Sequence, residues 1–174
     1  VLESEVDSGK GLTTDATGNT FFLGDDAADR QYRAILSFDT SALPDNAVVY
    51  GVTVRVKREG ITGTNPFTTH GYLQVDMKTG AFHEIPELEK YDFQAMGTRG
   101  NVGRFIKTPS EQWYRAPLRS VAYPLINRYG TTQFRLRFNL DDDADLGADY
   151  LRFYSGSAAT EADRPQLIVT YWAP

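Results

Sequence analysis

The densest set of chemically capable side chains lies in NLDDDADLGADYLRFYSG, residues 139 to 156, which holds five aspartates between Asp141 and Asp149. Carboxylates this crowded repel one another unless cations or arginines offset them. Asp141, Asp143 and Asp145 alternate as in the first half of an EF-hand loop, whose hard oxygen ligands suit calcium. The second half of such a loop is missing, because Leu146 stands where glycine would make the sharp turn and Arg152 where the bidentate glutamate belongs. The spacing therefore supports a β-loop calcium site of Asp141, Asp143, Asp145 and Asp149, joined by Asp25, Asp26 or Asp29 of FLGDDAADR. The competing arrangement is a solvated loop whose aspartates cap turns and pair with arginines such as Arg152 and Arg164.

A second group of residues suits ligand recognition. Sugar-binding sandwiches stack pyranose rings on exposed aromatic faces and hold hydroxyls or carboxylates with arginine and amide side chains. Trp113, Tyr114 and Arg115 form the richest such run, followed by Tyr91, Tyr123 and Trp172. Neighbouring residues of a strand point to opposite faces. The preference of large aromatics for the interior then predicts Trp113 inside and Tyr114 outside. Arg135 and Arg137, two apart on one strand, are expected to supply part of a basic patch for an acidic polysaccharide.

Catalysis finds less support. His70 and His83 are the only imidazoles, and neither lies in a G-x-S-x-G or H-E-x-x-H setting that would supply a positioned partner. Glu84, Glu87 and Glu89 sit in HEIPELEKYD, which reads as a solvated proline-containing turn, and RGNVGR lacks the Lys-Ser/Thr of a phosphate loop. The chain is expected not to be an enzyme.

A length of 174 residues predicts one domain spanning 1–174, and 41% apolar with 13% aromatic residues is enough for a hydrophobic core. A formal charge of −5 argues against nucleic acid, whose binding needs clustered cations. There is no cysteine, so disulfides and thiolate metal sites are excluded. No apolar run of about 18 residues is present to span a membrane. A first residue of Val1 is expected of a processed or excised segment.

Period-two alternation must position these residues. In QFRLRFNL, Phe134, Leu136, Phe138 and Leu140 oppose Arg135, Arg137 and Asn139; VVYGVTVRVKRE repeats the rhythm with Tyr50, Val52, Val54 and Val56 against Thr53, Arg55 and Lys57. Further strands are expected in QYRAILSFD, YLQVDM, DYLRFYS and QLIVTYW, and weaker ones at 2–6, 20–23, 92–95, 102–106 and 112–118. About ten or eleven short strands predict an antiparallel β-sandwich, jelly-roll-like. Helical spacing of Val121, Leu125, Ile126 and Tyr129 between Ser120 and Gly130 predicts one short helix at its end, with Pro124 near the first turn.

Two segments, RAILSFDTSALPDNAVVYGVTVRVK and DYLRFYSGSAATEADRPQLIVTY, joined by SEQWYRAPL, resemble the DNRLRE-type domains of secreted bacterial and archaeal proteins. Those domains carry an Arg-x-x-Leu-x-Phe-Asp strand ending in a Leu-Pro turn, matched here by Arg33, Leu36, Phe38, Asp39, Leu43 and Pro44, and they close on Ser, Arg-Pro and an apolar strand. The likeness extends over roughly residues 20 to 172, although the hexapeptide that names the family is absent. It implies a sandwich fold, an extracellular or cell-surface setting and attachment to a larger parent protein. It also implies carbohydrate binding, with acidic polysaccharides among the ligands. The alternative is a structural or adhesive subunit that assembles with copies of itself or other chains by strand addition.

Overall fold

The computed structural model describes residues 2, 3 and 10–174. It is an all-β sandwich of two antiparallel sheets. In chain order the strands are β1 (Leu2–Glu3), β2 (Gly11–Thr13), β3 (Thr20–Asp25), β4 (Gln31–Tyr32), β5 (Ala34–Asp39), β6 (Val48–Thr62), β7 (Leu73–Thr79), β8 (Arg99–Arg104), β9 (Trp113–Pro117), β10 (Thr131–Phe138), β11 (Tyr150–Tyr154) and β12 (Gln166–Trp172). One sheet runs β12-β6-β11-β3-β4-β1-β2 with β9 also on β6, and the other runs β5-β10-β7-β8.

Alternation forms the core as the sequence requires. Phe134, Leu136 and Phe138 on β10 and Leu73, Val75 and Met77 on β7 face Val54, Val56, Leu151 and Phe153 across the sandwich, all fully buried. Each such side chain contributes about 1.5–3 kcal/mol relative to exposure. The alternation ends at Phe138, since Leu140 lies beyond the strand and is exposed. A register shift between Thr170 and Tyr171 on β12 marks where β6 changes the face it presents, leaving Tyr50 outside while Val52 goes in.

Three local expectations differ from the structure. The strand at 92–95 is a 3-10 turn, Lys90–Phe93, because Glu89 and Asp92 satisfy each other's backbone N–H groups in a capping box. The helix expected over 120–130 shortens to a 3-10 stretch, Ser120–Leu125, with Pro124 near its end, where it cannot donate to a helical ladder. A four-residue helix α1, Pro66–Thr69, forms where none was predicted; Asn65 caps the Phe67 N–H and Pro66 sits at the tolerant first position. The part of the expected 2–6 strand beyond Glu3 lies outside the described residues.

The two lateral edges of the sandwich are not alike. On one, β8 meets β9 through the Gly103–Leu118 bridge, and the Arg119 N–H donates to the Val102 carbonyl, so the sheets are stitched together. On the other, β3 and β5 face each other across a gap.

Candidate metal centre and ligand-binding face

The aspartates of the 139–156 segment converge on those of the turn after β3. Asp149 immediately precedes β11; its N–H donates to Asp25 Oδ1 at 3.2 Å, and its carbonyl accepts the Asp25 N–H at 3.0 Å. Asp149 Oδ1 accepts the Thr64 N–H, whereas its Oδ2 is buried with no partner. Asp29, at a φ of 56°, accepts the Leu146 N–H at 3.0 Å and so ties the two turns together. Ala144 and Leu146 also have positive φ in the bend where the Asp143, Asp145 and Asp149 carboxylates gather.

The result is two overlapping groups, Asp25/Asp29/Asp143 and Asp143/Asp145/Asp149, whose oxygens within each group lie within 4.8 Å of one another. Asp143 Oδ1 and Asp149 Oδ2 are buried without a hydrogen-bond donor, and buried Asp25 Oδ2 is approached only by His70 Nε2, at 3.3 Å. Burial, then the neighbouring carboxylates, push the Asp143 carboxyl above its usual range. Asp25 is raised too, by burial first, with the approach of His70 opposing and the charge of Asp143 reinforcing the shift. Orphaned acceptors at this density are what a hard cation satisfies, and the clustered residues can hold a metal ion.

Of the four expected ligands, the structure brings together Asp143, Asp145 and Asp149. Asp141 is exposed and lies outside both groups, because the turn at Ala144 carries the chain away from it. Asp26 is engaged by both Nε and Nη2 of Arg30, which leaves Asp25 and Asp29 as the contributors from that segment. Arg152 pairs with Glu59 at 2.7 Å and Arg164 donates to the Ala158 carbonyl, so neither neutralises the loop. Sequence reasoning did not place His70 here, yet its Nε2 is 3.3 Å from Asp25 Oδ2 with both side chains fully buried. Gly63 was missed as well. At a φ of 66°, a Cβ there would sit 1.9 Å from Asp149 Oδ1. Gly63→Ala is expected to lower stability by roughly 1–3 kcal/mol through strain and displacement of Asp149, measurable as a lower thermal midpoint.

The second set of residues gathers on the outer face of β9, β6 and β12. Trp113 and Tyr114 are reversed relative to expectation: Tyr114 is 1% exposed, stacked on Phe67 at 5.4 Å, while Trp113 lies half-buried on the surface. The face shared with Ala116 and Leu118 goes inward, and the one shared with Arg115 and Pro117 goes outward. Arg115 pairs across the strands with Arg55, whose guanidinium lies 4.5 Å from the Trp113 ring centroid and donates to Gln166 Oε1. Trp113, Arg115, Arg55, Thr53, Glu111 and Ile168 line a shallow groove of about 440 Å³. Neither Arg55 nor Arg115 has a carboxylate partner among the described residues.

Arg135 and Arg137 do not form a surface patch. Both bind Asp76 Oδ2, at 3.1 and 3.0 Å, and Arg135 also donates to the carbonyls of Asp92, Phe93 and Ala95. At Arg135 the face of β10 is covered by the 81–98 crossing, which its bonds to those carbonyls hold down, whereas Arg137 stays partly exposed. His83 is exposed, stacked on Tyr91 and paired with Glu89 at 3.1 Å. A further aromatic cluster, Phe22, Tyr32 and Tyr150, lies beside the carboxylates with ring centroids 5.0–5.6 Å apart.

No protein-family model matches this chain, and no curated protein shows significant similarity to it. No helix among the described residues is long and apolar enough to cross a membrane.

Proposed function

We propose that this chain is a non-catalytic extracellular module, of the DNRLRE type its sequence resembles, that binds an acidic polysaccharide and is stabilised by calcium. The observation that carries the reading is the pair of unneutralised guanidiniums, Arg55 and Arg115, flanking the half-exposed Trp113 ring in an open groove. An indole offers a stacking surface for a sugar ring. Two planar guanidiniums offer paired donors for uronate carboxylates. Two guanidiniums against the single carboxylate of Glu111 give this groove positive charge on a chain whose net charge is −5.

Calcium is the ion that fits the second site. The donors are carboxylates on a loop and a turn, with no thiolate available, and such an oxygen-rich, adaptable set suits calcium better than the strict octahedron of magnesium. Asp25, Asp29, Asp143, Asp145 and Asp149 would hold it, neutralising charges that otherwise repel.

Binding to immobilised polyuronates and to neutral glucans tests the first part. Polyuronate retention is expected, and it should weaken as salt rises. Removing one charge-assisted contact costs about 1.5–3 kcal/mol, so Arg55→Ala and Arg115→Ala should each weaken binding roughly 10- to 150-fold. Trp113→Ala should do so by about the same order. Equal affinity for neutral glucans, or binding indifferent to all three substitutions, would overturn the reading.

A further inference from the structure

The open edge of the sandwich is built to receive another strand. Hydrogen-bonded pairs alternate along an antiparallel ladder. The Thr40 N–H donates to Gly130, which sets the phase on β5: Phe38, Leu36 and Ala34 bond β10, and the N–H and C=O groups of Ser37 and Ile35 point the other way. On β3 the Asp25–Asp149 and Ser155–Asn19 bonds set the phase so that Leu23 and Phe21 bond β11. Phe22 and Thr20 then point away from it, and β4 reaches β3 only at Gly24 and Asp25. The backbone groups of Thr20, Phe22, Ile35 and Ser37 have no partner among the described residues.

These two free edges border one cleft of about 730 Å³, lined by Phe21, Phe38, Leu36, Leu88 and Pro165 among others. Exposed edges in native proteins are blunted by charge, proline or a bulge. Here β5 runs Ala-Ile-Leu-Ser-Phe with none of these over the open stretch and an unbroken register on β10. The charge at the rim is also defined. Arg33 is turned onto Gln31 and the Phe93 carbonyl and Arg164 onto the Ala158 carbonyl, both part-buried and keeping their charge, while the exposed charges lining the same cleft are the carboxylates Asp15 and Glu87.

We propose that this cleft binds an extended peptide segment of another protein, apolar at alternate positions and basic at its ends, as an added strand. Its backbone would meet the free groups of β3 and β5 at the two-residue repeat of a strand, its alternate side chains would enter the apolar interior, and its basic ends would face Asp15 and Glu87. The proposal stands apart from the glycan reading, since cleft and groove share no residue.

The probe is a short synthetic peptide alternating valine and threonine with lysine at each end, compared with a copy N-methylated at alternate residues. Titrated into the intact protein, the first should bind and slow amide hydrogen exchange at Thr20, Phe22, Ile35 and Ser37 by about tenfold or more. The N-methylated copy, which lacks the donors on one side of its backbone and carries methyl groups there that clash with the facing edge, should do neither. Ser37→Pro removes a donor aimed at the cleft, so it should weaken peptide binding while leaving polyuronate retention intact. The N-methylation comparison reads out independently of how that variant folds. Equal binding of both peptides, no binding of either, or protection of those four amides that rises with protein concentration alone would overturn the proposal; the last would assign the cleft to a second copy of this chain.

Discussion

Calcium at about a hundred times its dissociation constant is expected to stabilise this protein by roughly 2.7 kcal/mol, because the ion binds only the folded arrangement of carboxylates. For a domain of this size that is a rise in thermal midpoint of roughly 5–10 °C, readable by scanning calorimetry in calcium and in chelator. Asp149→Asn and Asp143→Asn should abolish most of the rise. Coinciding curves in calcium and chelator would show that the aspartates only solvate the loop. In chelator the pH dependence should have a definite sign. The raised Asp25 and Asp143 carboxyls hold protons in the folded state that they have lost in the unfolded chain. Their contribution therefore falls as pH rises from the unfolded value of 3.8 through the raised folded values. Calcium competes with those protons, so its stabilisation grows over the same interval.

A loss larger still is expected from Asp76→Ala. Asp76 is 2% exposed and its Oδ2 serves both Arg135 and Arg137, while Oδ1 accepts the Asn101 N–H. Removing the shared carboxylate leaves guanidiniums with no counter-charge in a mostly dry setting, a change that costs about 3–5 kcal/mol. Set against a typical total of roughly 5–15 kcal/mol, that is a major part of the stability, and it should appear as a large drop in the urea midpoint. Burial opposes ionisation of Asp76, but the Asn101 N–H and the Arg137 and Arg135 guanidiniums outweigh it and hold the carboxyl below its usual range. Its stabilisation is accordingly complete above the unfolded value of 3.8 and is lost as pH falls through the depressed folded value. The loss belongs to the 81–98 crossing first, since Arg135 is the anchor for three of its carbonyls.

The sandwich was legible because β6 and β10 alternate almost without a break, and a period of two fixes which residues share a face. It does not say which face is inside. For Trp113 and Tyr114 the size of a single ring misleads, whereas the company each keeps decides: Ala116 and Leu118 on one side, Arg115 and Pro117 on the other. Nor does alternation distinguish water from a second covering layer. Arg135 and Arg137 occupy the polar face of β10 as read, but at Arg135 that face lies beneath the 81–98 crossing, for which no local pattern speaks. The carboxylate site was half visible. Density of aspartate pointed to the loop, but the choice of Asp29 over Asp26 depends on Arg30 claiming the latter. The exclusion of Asp141 depends on left-handed residues, Ala144 and Leu146, that ordinarily avoid that conformation.

One strand sets the tempo at which this molecule can form. β6 has fifteen residues, and its partners are β9, β11 and β12, all far downstream, the last ending at Trp172. A ribosome must therefore deliver the chain as far as Trp172 before the central ladder can be completed. Contacts so distant along the chain place closure of the ladder in the range of roughly milliseconds to seconds, counted from the emergence of β12. Until then the uncharged stretches of β6 remain unpaired, so the interval before closure is when this segment most needs a chaperone's shelter.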